Sequence, residues 1–151
     1  MHKIDLLEEF FKICSELAKH EVPYALIGGI AVSIHTEPRM TKDIDFLTIP
    51  EAIGDFRSVL EECGYDESAQ PWAFRSSLTA LHRFVKVVDD DFLPVDILVN
   101  GEERYRSVVA NAQAAQWAGG VVRVATVDDL IWLKRQRNSL QDQADIERLS
   151  Q

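Results

Sequence analysis

Apolar residues at Ile4, Leu7, Phe10, Phe11, Cys14, Leu17 and Ala18 return every three or four positions, with Glu8, Glu9, Lys12 and Glu16 between them. That spacing predicts an amphipathic first helix. After Pro23, Tyr24 to Ile27 reads as a short buried strand running into Gly28-Gly29, and residues 30–36 as a short helix closed off by Pro38. The rhythm then becomes alternating. Asp43 to Ile49 is predicted as a strand with Ile44 and Phe46 on one face and Asp43, Asp45 and Leu47 on the other. Pro50 opens a helix through Glu62, with Ile53, Phe56, Val59 and Leu60 inward and Gly64 as its stop.

Residues 65–79 carry the weakest pattern; Trp72 and Phe74 suggest a packed loop or a short strand. Leu81 to Val88 and Pro94 to Val99 read as two strands joined as a hairpin through Asp89-Asp90-Asp91. Arg104 to Trp117 reads as a helix, followed by a turn at Gly119-Gly120 and a strand over Val121 to Val124. Thr126-x-x-Asp129 is a capping-box variant opening a helix with Leu130, Ile131 and Leu133, and a last helix runs from Leu140 to Leu149. The order α, β, α, β, α, β, β, α, β, α, α gives an α+β or mixed α/β fold with one sheet.

The 151 residues suit one domain, 1–151, with a core that needs no disulfide or metal staple. Cys14 and Cys63 show neither CxxC nor zinc-ligand spacing; they read as reduced structural residues of a cytoplasmic protein, a disulfide being the alternative. The opening run mixes acids into its apolar residues, unlike a signal peptide, and the apolar run Tyr24 to Ile34 is too short to span a bilayer. With 25 acidic against 16 basic residues the net charge is −9, which disfavours nucleic acid as a partner of the whole surface. A local basic patch at Lys134, Arg135 and Arg137 keeps that question open. A small-molecule substrate, or a protein partner with positive surface, is the simpler expectation.

The chemistry concentrates in Gly28-Gly29, Arg39-x-Thr41-x-Asp43-Ile44-Asp45 and Val95-Asp96-Ile97-Leu98. Asp43 and Asp45 are two apart in a strand, so their side chains share a face with Cα atoms roughly 6.5–7 Å apart. Asp96 sits among apolar residues in another strand. Three converging, partly desolvated carboxylates repel one another unless they protonate or bind cations. Oxygen-only ligands point to Mg²⁺ or Mn²⁺ rather than zinc. The glycine pair lets the backbone turn and approach a ligand closely, with a helix N-terminus behind it to receive phosphate. Phosphoryl and nucleotidyl transfer require this combination.

The pattern Gly28-Gly29, thirteen residues, then Asp43-x-Asp45, then the later Asp96 resembles the nucleotidyltransferase superfamily typified by DNA polymerase beta. With Arg39 and Thr41, and with the tail Val127-x-Asp129-Leu130, Lys134, Arg137, Asp142-x-x-Asp145, it is similar to a small prokaryotic branch that includes AbiEii-type toxins. The resemblance implies a nucleotidyltransferase fold: a mixed central sheet flanked by helices, with helices at the C-terminus. It implies that Gly28 and Gly29 hold the triphosphate of an incoming NTP, and that Asp43 and Asp45 bind two Mg²⁺ ions. Asp96 would complete the metal site and help deprotonate an acceptor hydroxyl, and Lys134 would lie near the phosphates or the acceptor. The acceptor could be a protein side chain, an RNA 3′ end or a small molecule; a toxin–antitoxin role and a protein partner or homo-oligomer follow from resemblance alone. The tail departs from the pattern at Gln141, where the branch usually has lysine, which puts in doubt a phosphate or acceptor contact there. The rival reading is a non-catalytic nucleotide- or protein-binding regulator that keeps the fold.

Other residues divide between chemistry and structure. Arg39 reads equally as a nucleotide ligand or as an ion pair with Asp43 or Asp45. Thr41 shapes the turn, His35 complements a helix end, and Lys134 either snorkels or reaches the nucleotide. His82 and Arg83 fall in a strand whose outer face must be polar anyway, and Trp72, Trp117 and Trp132 read as core or partner-facing.

Overall fold

The computed structural model describes residues 3–37, 43–68, 79–117 and 120–151, and the backbone of 72–73. Arg39, Thr41, Phe74 and Gly119 lie outside the described residues.

Helix α1 (Leu6–Lys19) begins where the Asp5 carboxylate accepts the Glu8 N–H at 3.1 Å, and its inner face buries Phe10, Ile13, Cys14 and Leu17. Strand β1 (Ala25–Ile27) is wholly buried and runs directly into α2 (Gly28–His35), so the helix begins at the glycines, two residues before the expected start. Strand β2 (Ile44–Thr48) is followed by a 3₁₀ turn (Pro50–Ala52) and α3 (Ile53–Glu62). Two short strands, β3 (Asp66–Glu67) and β4 (Trp72–Ala73), precede the hairpin β5 (Ala80–Val88) and β6 (Asp91–Val99). Then come α4 (Glu103–Asn111), β7 (Gln113–Trp117), β8 (Gly120–Val124), α5 (Val127–Arg137) and α6 (Leu140–Leu149).

The strands form one mixed sheet in the order β3-β5-β6-β2-β1-β8-β7, with β4 also on the outer edge of β5. Central β2 pairs antiparallel with β1 and parallel with β6. As the alternation predicts, Ile44 and Phe46 are fully buried on one face. Phe46 lies 6.4 Å from Phe10 and 5.3 Å from Phe56 between ring centroids, with Tyr24 edge-on at 5.4 Å. This aromatic cluster fixes α1 and α3 to one side of the sheet, each buried ring contributing about 1.5–3 kcal/mol. Asp45, alternating with Phe46, therefore leaves the other side.

Three expectations need correction. The helix expected from Arg104 to Trp117 stops at Asn111, and Gln113–Trp117 is an edge strand antiparallel to β8. Its burial alternates, with Ala115 and Trp117 half-buried and Gln113, Ala114 and Gln116 exposed; cross-strand pairing and the packing of Trp117 on Phe10 at 6.0 Å override alanine's helix propensity. The hairpin turn takes only Asp89 and Asp90, and β6 begins at Asp91. His82 is buried rather than outward, its Nδ1 3.3 Å from Glu67 Oε1.

Candidate active site

Four neighbouring strands carry one row of residues in register: Ile27 of β1 opposite Asp45 of β2, Asp45 opposite Asp96 of β6, and Asp96 opposite Arg83 of β5. Directly opposed residues leave the same face, so the two carboxylates and the guanidinium stand side by side. Asp43, two residues before Asp45, is close enough to act on it electrostatically. The structure thus brings together Asp43, Asp45 and Asp96 from chain positions about fifty apart.

Asp45 bears the strain of this arrangement. Burial pushes its carboxyl up to about 7, with repulsion from Asp96 and Asp43 adding and Arg137 and Lys134 partly offsetting. Gly28 makes the crowding possible. It has φ +76°, and a Cβ there would lie 2.9 Å from the Asp45 Cβ and Cγ and closer still to Oδ2. Only glycine allows both that backbone and that approach. The Gly28-Gly29 turn and the Asp45 carboxylate are therefore one built unit. Gly29 is also tied to its own helix: its carbonyl accepts the Ser33 hydroxyl at 3.0 Å.

Arg83 is a residue of this row that its reading as mere outer-face polarity misses. Its Nε donates to Asp96 Oδ1 at 2.8 Å and its Nη2 to Oδ2 at 2.9 Å, a two-pronged pair that occupies both carboxylate oxygens.

Neither a protein-family profile nor a curated protein sequence matches the chain. Solved structures do. The antibiotic-resistance factor ANT(2″)-Ia, in a crystal with adenylyl-2″-tobramycin, shares 17% identity over 95% of this chain and 87% of its own, with TM-score 0.61. A Thermotoga maritima protein assigned as a nucleotidyltransferase shares 12% over 94% of this chain and 90% of its own, with TM-score 0.66. A Helicobacter pylori protein assigned likewise shares 17% over 85% of this chain but 55% of its own, with TM-score 0.52. The chain has a nucleotidyltransferase fold. It is α+β, as expected.

On this nucleotidyltransferase scaffold the C-terminal helices form a clasp beside the carboxylates. Lys134 of α5 is buried, its Nζ 3.1 Å from Asp145 Oδ2 and 3.7 Å from Asp142 Oδ1. Arg137 grips the fully buried Asp142 with Nε and Nη2 at 2.7 and 2.6 Å. Burial opposes the charge of Asp142, but Arg137 and the N–H and hydroxyl of Ser139 outweigh it and hold the carboxyl well below the usual carboxylate range. Ser139 and Asp142 make a reciprocal capping box at the start of α6. Gln141, the departure from the usual lysine, donates from Nε2 to Asp145 Oδ1 at 2.8 Å and so joins the clasp. Lys134 is thus already engaged, while its charge and that of Arg137 still reach Asp45. Of the basic patch read from sequence, Lys134 and Arg137 are paired with Asp142 and Asp145.

The remaining candidates are structural. His35 Nε2 donates to the Ala125 carbonyl at 2.8 Å, tying α2 to the residue after β8. Trp132 lies against Tyr105 at 5.0 Å between centroids and under the Arg104 guanidinium at 4.4 Å. Thr126 caps α5 by accepting the Asp129 N–H, but the Asp129 carboxylate turns to Arg104 at 2.8 Å instead of closing a capping box. Cys14 and Cys63 are both buried thiols. Among the described residues no helix is long and apolar enough to cross a membrane. An open groove of about 740 Å³, lined by α1 residues such as Cys14 and Leu17 with Tyr24 and Val122, belongs to the α1 side of the sheet and not to the carboxylate side.

The donor set suits a hard divalent cation in type: carboxylate oxygens from adjacent strands, one of them driven towards protonation by burial and by its acidic neighbours. Among the described residues, however, the group of three metal-ligand side chains with donor atoms within 4.8 Å of one another is the surface trio Glu16, His20 and Glu62, on α1, just beyond it and on α3. Asp43, Asp45 and Asp96 are not drawn that close. Arg83 holds both oxygens of the third.

Proposed function

We propose that this chain is a divalent-metal-dependent nucleotidyltransferase that moves NMP from an NTP to a hydroxyl acceptor. The observation that carries the reading is the register row that sets Asp45 beside Asp96 and against the Gly28 backbone. Asp43, Asp45 and Asp96 would hold Mg²⁺ or Mn²⁺, which when bound neutralises phosphate charge and favours in-line displacement at phosphorus. The backbone N–H groups of Gly28 and Gly29, at the N-terminus of α2, would receive the triphosphate, with the helix dipole favouring its charge. The acceptor oxygen forms its bond to the α-phosphorus as the bond to the pyrophosphate oxygen breaks. The hydroxyl proton passes to a carboxylate, for which Asp96 is positioned beside Asp45. Arg39 belongs to the same proposal as a nucleotide contact, whereas Lys134 acts by holding the clasp and by its charge on Asp45.

A small hydroxylated molecule is the acceptor favoured here. The match to ANT(2″)-Ia, which carries an adenylylated tobramycin in its crystal, spans nearly the whole of both chains. A protein side chain in a toxin–antitoxin pair stands behind it, supported by motif resemblance only.

The test is transfer of α-³²P label from each NTP, with Mg²⁺, to a lysate and to a panel of hydroxylated small molecules. Label should appear on one acceptor class and disappear in Asp45→Asn and Asp96→Asn. Losing the corresponding metal-dependent step should cost at least about 10²-fold, the scale of removing one electrostatic stabiliser. No transfer with any NTP, together with unchanged nucleotide binding in Asp45→Asn, would sink the proposal. The alternative, a regulator that binds nucleotide without turnover, is favoured by one observation: Asp96 is already neutralised by Arg83. It predicts nucleotide binding that survives Asp96→Asn.

A further inference from the structure

Arg83 poses a direct conflict with a cation at Asp96. The pair is two-pronged, in register, and asymmetrically exposed: the Arg83 side chain is 45% exposed and the Asp96 side chain 16%. The guanidinium can therefore swing into solvent without opening the core, while the carboxylate stays in its row. Asp43 and Asp45 also act on Arg83, so its positive charge is shared by the whole carboxylate group. Lys134 and Arg137, the other cations whose charge reaches Asp45, are engaged by Asp142 and Asp145. Arg83 alone among these three is bonded to a member of the carboxylate group itself.

We propose that Arg83 is a reversible guard of Asp96, which it holds in the metal-free protein and releases to a divalent cation when a nucleotide arrives. A triphosphate offers the departing guanidinium what Asp96 offered, two adjacent oxygens in a plane matched to its fork. The exchange keeps every charge paired: phosphate takes Arg83, and Asp96 takes the cation. Cation and nucleotide then bind with positive coupling, each raising the affinity for the other by the same factor. This rests on the metal-dependent reading above, and it makes Arg83 a positioning residue that acts through Asp96.

The experiment is calorimetric titration of Mn²⁺ into the wild type, Arg83→Gln and Arg83→Lys, alone and with a non-hydrolysable NTP analogue. The signal counted is the part removed by Asp45→Asn, which separates it from the surface trio of Glu16, His20 and Glu62. The guard predicts that Arg83→Gln binds Mn²⁺ alone about 5-fold or more tighter than wild type, the lower end of coupling between linked sites. It also predicts that the analogue tightens Mn²⁺ binding far more in wild type than in the variant. Arg83→Lys keeps the charge but loses the fork, so it too should bind Mn²⁺ more tightly than wild type. A Lys variant indistinguishable from wild type would reduce Arg83 to a diffuse charge and overturn the guard. Equal or weaker Mn²⁺ binding by Arg83→Gln would do the same while leaving the metal site standing. Should Arg83→Gln fail to fold by circular dichroism, the Lys variant alone decides. If no protein binds Mn²⁺ with or without nucleotide, both the guard and the metal-dependent reading fall.

Discussion

Asp45 is where the sequence's chemistry becomes measurable without any knowledge of the acceptor. Its carboxyl, pushed up to about 7 by burial and by Asp96 and Asp43, binds a proton in the folded chain over a range where the unfolded chain has lost it. A carboxyl near 3.9 in the unfolded state and near 7 in the folded one makes the folded state bind more protons between those values. Stability of the metal-free protein should therefore fall as pH rises from about 4 through about 7. Asp142, held low by Arg137 and Ser139, works in the opposite sense only in stronger acid and stays constant over this window. The melting temperature without metal is expected to be higher at pH 5 than at pH 8. Asp45→Asn should flatten most of that slope, and Mn²⁺ should restore stability at pH 8 in wild type only. A melting temperature that rose from pH 5 to pH 8, or a slope unchanged in Asp45→Asn, would refute the buried-carboxylate account.

At the scale of elements, what the sequence revealed depended on how local the signal was. Alternation around Ile44 and Phe46 was enough to place Asp45 on the opposite face, because a half-buried strand has a period of two. The neighbour of Asp96 was not legible, because it depends on the turn. A two-residue turn at Asp89-Asp90 sets Val88 opposite Asp91, and counting back puts Arg83 opposite Asp96; reading three residues into the turn hides that register. Residue 89 at φ +53° is the local feature that permits the tighter turn, and aspartate tolerates it better than most. Edge strand β7 was lost for a similar reason: Ala-Ala between glutamines favours a helix locally, and only the pairing with β8 reverses it. In the tail the family resemblance pointed to Lys134, Arg137, Asp142 and Asp145, while the burial of Lys134, Asp142 and Asp145 and their pairing could be known only from the packing of α5 on α6. That packing gives Lys134 a separable role. Lys134→Met removes the ammonium 3.1 Å from the buried Asp145 and 3.7 Å from the buried Asp142, a loss that costs about 3–5 kcal/mol in other buried pairs. Urea denaturation should register a loss of that order before any nucleotide is added. A variant as stable as wild type, defective only in NTP affinity, would instead make Lys134 a direct phosphate ligand.

The whole molecule carries a net charge of −9 and a pI near 4.8, and Lys134 and Arg137 near its C-terminus are paired with the buried Asp142 and Asp145. Such a surface repels polyanions at long range and attracts cations, and both effects weaken as the Debye length shrinks to about 10 Å at 0.1 M salt. On the proposed nucleotidyl transfer, the bias bears directly on which acceptor would be used. RNA would have to approach against the net field, with two of the three cations of the C-terminal patch, Lys134 and Arg137, already paired with acids. A polyamine-like hydroxylated molecule would be drawn towards the carboxylate face and held by residual negative charge after the metal site is filled. The KM for a cationic acceptor is therefore expected to rise severalfold between about 20 and 200 mM salt, while kcat changes little, because steering acts on encounter and not on the chemical step. A neutral hydroxylated acceptor of similar size should show no such rise, and a single-stranded RNA should be labelled, if at all, only as salt increases. Steady-state transfer assays at three ionic strengths with these acceptors decide the matter. Efficient labelling of RNA at low salt would show that a local surface overrides the net field, and would move the acceptor from cationic small molecules to nucleic acid.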